Sequence, residues 1–109
     1  MPSVAVHFDP SESAISDGFP AFAEGVAGAI LECLGAERDK VQIMAVPLVH
    51  PPIGRDVYIE IKARANERRS EAVLADFVGR VDELSRRHLG AVSRIRYFAY
   101  PGSFLAAAN

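Results

Sequence analysis

The sequence has no Trp, a single Cys, and charges that nearly cancel, with 12 Lys+Arg against 14 Asp+Glu in 109 residues. One cysteine, Cys33, excludes an intrachain disulfide, so the cytoplasm is the simplest expected compartment. Long apolar runs are also missing. The stretch around Val26 to Leu34 is broken by Glu24 and Glu32, far short of the roughly 20 residues that cross a bilayer, and no membrane partner is expected. Met1-Pro2-Ser3-Val4 lacks a basic region followed by an apolar run, so no secretory signal is read there. His7, His50 and His88 share no ligand spacing, which leaves no expected metal site. Gly25-Val26-Ala27-Gly28 falls inside a helical pattern instead of between a strand and a helix start, so it is not a phosphate loop.

Half of the residues are apolar. A chain this size buries roughly two thirds of the surface it would expose unfolded, enough for one core but not for a core plus a deep private cleft. The expectation is one domain, residues 1–109, whose substrate pocket needs a second copy. The near-neutral total hides an asymmetry: residues 1–54 carry 2 Lys+Arg against 7 Asp+Glu, residues 55–109 carry 10 against 7, and the halves are therefore −5 and +3. Interleaved acids such as Glu67, Glu71, Asp76, Asp82 and Glu83, with no aromatic-basic motif, argue against nucleic acid. Salt bridging between halves, with a few arginines left for a small anion, fits better.

Periodicity gives the elements. Val4, Val6 and Phe8 share one face of a first strand over Pro2 to Phe8. Asp9-Pro10-Ser11 breaks it, and Ser16-Asp17 can cap a first helix with Pro20 in its first turn. Phe19, Phe22, Val26, Ile30 and Cys33 form its apolar stripe, and Gly35 ends it. Val41 to Val49 is mostly apolar, which predicts burial on both faces and a central place in a sheet. Val57 to Ala63 alternates as a third strand. Ser70 caps a second helix with Val73, Phe77, Val81, Leu84 and His88 on its stripe, Gly90 ends it, and Ile95 to Tyr100 is the fourth strand.

The two halves match at offsets of about 54, from Val4 to Val57, Gly35 to Gly90 and Pro47 to Pro101. Residues 1–54 and 55–109 thus each form a βαβ unit, giving an α+β fold. Parallel strand pairs with right-handed crossovers put both helices on one face of a four-stranded mixed sheet. Two architectures share this order: βαβ units side by side about a pseudo-twofold axis, or the interleaved ferredoxin-like sandwich.

Particular residues favour the first. Pro2 directly after Met1, the segment Gly35-Ala36-Glu37-Arg38-Asp39-Lys40-Val41-Gln42-Ile43, and Lys62-Ala63-Arg64 followed by Arg69-Ser70-Glu71 resemble the tautomerase superfamily. The closest motifs are those of its malonate semialdehyde decarboxylase and macrophage migration inhibitory factor branches. The resemblance implies a homotrimer with pockets between subunits. It also implies a cofactor-free tautomerase or isomerase acting on small 2-oxo carboxylates, in which the freed N-terminal proline moves a proton. Pro2, Asp39 and Arg64 are the implied catalytic residues. Lys62, Arg94 and Arg96 are the implied substrate-binding cations, the last two standing where the inhibitory-factor branch has a Tyr and an Asn. Asp39 matches a water-activating or orienting carboxylate, which keeps decarboxylation or hydration of a small 3-oxo acid as an alternative. Ala36 and Gln42 depart from a pocket lysine and a binding arginine of other branches, and the tail is short for the decarboxylase branch.

The chemistry can be rebuilt physically. An α-amino group titrates at about 7.7–8.0, and burial or nearby cations lower this toward neutral pH, where a general base works best. Arginines hold a carboxylate bidentately and stabilise a developing enolate. Met1 must be removed for Pro2 to be an amine. With Met1 retained, the chain is expected to be a non-catalytic oligomeric binding module. Without the resemblance, Pro2 simply opens a strand, Asp39 is a turn acid, and Arg94 and Arg96 pair with acids of a neighbouring subunit.

Overall fold

The computed structural model describes residues 2–109, so Met1 lies outside the described residues. Alternation of apolar and polar side chains builds the two central strands. In β1 (Ser3–Phe8) Val4, Val6 and Phe8 are buried. In β3 (Val57–Arg64) Val57, Ile59, Ile61 and Ala63 are buried, while Lys62 and Arg64 are exposed on the other face. The strands run antiparallel, with Ser3 opposite Lys62 and Phe8 opposite Val57.

Each central strand carries its parallel partner on the outside: β2 (Gln42–Pro47) beside β1, and β4 (Arg94–Tyr100) beside β3. The sheet order β2-β1-β3-β4 places the βαβ units side by side, and the interleaved ferredoxin-like alternative is excluded. β2 is correspondingly an edge strand, not the central one its apolar run predicts, and Gln42, Met44, Ala45 and Pro47 are exposed within the chain.

Helix α1 (Ser13–Ala29) has Glu12 at its N-cap, four residues before the Ser16 cap that the sequence suggests. Asp9 accepts hydrogen bonds from Ser11 N (2.9 Å) and Ser11 Oγ (2.8 Å), which tightens the turn after β1. Ile15 is buried in the core and draws the first helical turn inward. Pro20 therefore stands inside the helix; its side is exposed, so the carbonyl left without a donor can reach water.

Helix α2 (Glu71–Leu84) starts where expected, with Ser70 Oγ accepting from Val73 N at 3.3 Å. Both helices end in a π-helical turn, Ile30–Leu34 and Ser85–Leu89, closed by left-handed Gly35 (φ 69°) and Gly90 (φ 62°). The extra residue in each turn rotates the stripe, so Leu34 and Leu89 are the buried closing residues, whereas Cys33 and His88 are half-buried. α1 passes so close to the second π turn that a Cβ on Gly18 would collide with the His88 carbonyl.

The core fills the layer between helices and sheet, around Phe22, Phe77, Ile30, Leu34, Ile59 and Ile61. The opposite face of the sheet carries no helix. Among the described residues, no helix is long and apolar enough to cross a membrane.

Candidate active site

The parallel crossovers bring the start of β1, the start of β2, the end of β3 and the end of β4 to one edge of the layer. A cleft of about 660 Å3 opens there, lined by Pro2, Ala36, Asp39, Lys40, Arg64 and Arg69, among others. Pro2 is buried, and its carbonyl accepts from Gln42 N at 3.2 Å, which fixes the chain end between β2 and β3.

Asp39 and Lys40 reach the cleft from a single 3-10 turn, Arg38–Lys40. Lys40 N donates to Glu37 O at 2.9 Å, and Arg38 clamps Glu24 of α1 with two bonds of 2.6 and 2.8 Å. The Arg38 guanidinium holds the Glu24 carboxyl below its ordinary range by hydrogen bonding first and charge second. The turn is thus pinned to α1 on its outer side while Asp39 and Lys40 line the cleft.

Arg64 ends β3. Arg69, half-buried, is fastened by backbone: Nη1 donates to Arg64 O at 2.8 Å and Nε to Leu34 O at 3.3 Å. The second bond satisfies a carbonyl left open at the end of the π turn. Among the described residues, no carboxylate lies within ion-pair distance of Lys40, Arg64 or Arg69, so three cations without ion-pair partners line the cleft that holds Pro2, together with the carboxylates of Glu37 and Asp39. Such a site can bind a carboxylate bidentately and stabilise an enolate oxygen.

The cleft therefore brings together Pro2, Asp39 and Arg64 of the expected residues. Lys62, Arg94 and Arg96 do not line it. Lys62 pairs with Glu60 at 3.0 Å on the helix-free sheet face. Arg94 stands opposite Tyr58, six register steps from the Arg64 level, or about 20 Å along the strand. Arg96 stands opposite Glu60 and donates to Ile95 O at 2.8 Å. Sequence reasoning missed Lys40 and Arg69 as cleft residues. The available signal for Arg69 was its place directly before the Ser70 cap, where the chain turns back toward Gly35. No group of three or more His, Cys, Asp or Glu among the described residues could hold a metal ion.

Two βαβ units side by side, with both helices on one sheet face, have the fold of the tautomerase superfamily. Solved structures share it across nearly the whole chain. A member of the cis-3-chloroacrylic acid dehalogenase family matches at TM-score 0.75 and 16% identity over 96% of this chain and 79% of its own. A fused 4-OT symmetric trimer matches at TM-score 0.68 and 18% identity, over 91% and 85%. Macrophage migration inhibitory factor from Toxoplasma gondii matches at TM-score 0.67 and 12% identity, over 98% and 96%. No family model and no curated protein matches the sequence.

Proposed function

We propose that the chain is a cofactor-independent tautomerase or isomerase of small 2-oxo carboxylates, working as a homotrimer. The observation that carries this reading is the shared cleft: buried Pro2 together with unpaired Arg64, Arg69 and Lys40. Once Met1 is removed, the Pro2 nitrogen is a secondary amine. The neutral form is the one that acts as base, and burial with the Arg64, Arg69 and Lys40 cations favours it against the Glu37 and Asp39 carboxylates on the same lining. The neutral amine takes a proton from the carbon next to the keto group, the arginines hold the carboxylate and the enolate oxygen, and the same proton returns at carbon or oxygen. The trimer is supported by the likeness to a fused 4-OT structure that is a symmetric trimer and by the sheet face that no helix covers.

A second reading in the same cleft, decarboxylation or hydration of a small 3-oxo acid, is favoured by one specific observation. Asp39 lines the cleft beside Pro2 and has no ion-pair partner among the described residues, so its carboxylate is available to orient water.

The test is intact mass of the protein from its native host, followed by ketonisation of phenylenolpyruvate by wild type and Pro2→Ala. The proposal expects loss of one methionine and a drop in kcat/KM of at least about 100-fold, the range of a lost general base. A retained Met1, or equal rates for the two proteins, would refute it.

A further inference from the structure

Gly102 is a glycine whose backbone does not require one. It is not among the positive-φ glycines, which are Gly35, Gly54 and Gly90, and it opens an ordinary 3-10 turn, Gly102–Phe104. Space is the constraint. A Cβ at this position would lie 3.1 Å from Cδ and 3.2 Å from Nε of Arg64, with Cγ at 3.6 Å.

Those atoms are the stem that carries the guanidinium. The side chain of Arg64 makes no ion pair or hydrogen bond among the described residues, whereas Arg69 beside it is held by two carbonyls. The contact with the Gly102 turn is what remains to direct Arg64, whose side chain is otherwise exposed. The surface it packs on is fixed, because Ala65 N donates to Tyr100 O at 2.7 Å and Phe104 N to Pro101 O at 3.0 Å, tying the Gly102 turn to the end of β3. The same segment continues to Asn109, which lines the cleft.

We propose that Gly102 is the positioning residue for Arg64: its missing side chain leaves the space in which the Arg64 stem lies, and so directs the guanidinium at the Pro2 cleft. The inference rests on the proposed function in taking that cleft as the carboxylate site. It goes further by assigning the aim of Arg64 to a residue outside the cleft lining.

The test compares wild type, Gly102→Val, Arg64→Ala and the double variant. Gly102→Val is expected to raise KM for phenylenolpyruvate about tenfold, with a smaller effect on kcat, since a displaced carboxylate grip is mainly a loss of binding. On the Arg64→Ala background the same change is expected to leave KM within about twofold, because the two residues act as one unit. An equal penalty on both backgrounds overturns the proposal. If Gly102→Val fails to fold, Gly102→Ala is used, with a smaller loss in the same direction.

The readout independent of turnover is the heteronuclear NOE of the Arg64 Nε–H signal, identified by its loss in Arg64→Lys. It should drop in the Gly102 variant, and an unchanged NOE overturns the positioning role. A dropped NOE in a protein that does not turn over phenylenolpyruvate supports the positioning role and refutes the tautomerase reading instead.

Discussion

Lys62 and Arg64 stand two apart on β3 and face the same side of the sheet, yet their charges meet different neighbours. Lys62 is paired with Glu60, which also accepts the Tyr58 hydroxyl at 3.0 Å. The Lys62 hydrogen bond, then the Tyr58 one, holds the Glu60 carboxyl below its ordinary 4.5. A carboxyl lowered on folding adds stability that is present above the unfolded value and lost as pH falls through the folded one. Stability measured by urea unfolding should therefore decline below about pH 4.5 more steeply in wild type than in Glu60→Gln; parallel curves would show that Glu60 contributes nothing there. Alternation in the sequence assigns both cations to one face but cannot say which has an acid in reach. Pro2, Asp39 and Arg64 were legible only through the resemblance to the tautomerase superfamily, whose motifs they match. Arg69 was not, because it lies in a turn where neither the strand nor the helix period extends.

Among the elements, the repeat was readable because its punctuation is chemical: Gly35 and Gly90 both occupy left-handed positions that close the π turns. The two misreadings have physical causes. The start of α1 is set by burial of Ile15 and the Asp9 turn instead of by the first strong capping pair. The apolar run of β2 signals surface that has to be covered, but an apolar run does not say whether the same chain covers it, and β2 is an edge. The tight crossing of α1 over the second π turn was also invisible, since Gly18 looks like any helical glycine until His88 is placed beside it. Gly18→Ala gains helix propensity, yet its methyl would meet the His88 carbonyl and force the layers apart. Overpacking of this kind costs about 1–3 kcal/mol, more than the propensity gain of about 1. The variant should melt lower than wild type by calorimetry, and an equal or higher melting temperature would show that the helix shifts without cost.

At the scale of the molecule, the helix-free sheet face and the charge split bear on the same question. Met44 and Phe98 are 37% and 48% exposed, and the register puts Met44 beside Ala5 and Phe98 beside Lys62, all on the face away from the helices. The acidic unit owns the β2 edge and the basic unit the β4 edge. A head-to-tail contact between copies places the −5 half of one beside the +3 half of the next, and such heterologous contacts form rings when the rotation closes. The proposed homotrimer is the three-membered ring. Light scattering should then give three times the 11.8 kDa chain mass. Phe98→Glu, which puts a carboxylate on a face that the trimer would enclose, beside a Lys62 already paired with Glu60, should return the mass toward a single chain while the far-ultraviolet dichroism stays native. A wild-type protein that runs as one chain at micromolar concentration would remove the trimer. Its cleft would then have to work with the residues of a single copy, leaving Arg94 and Arg96 about 10–20 Å along the sheet from the level of Arg64.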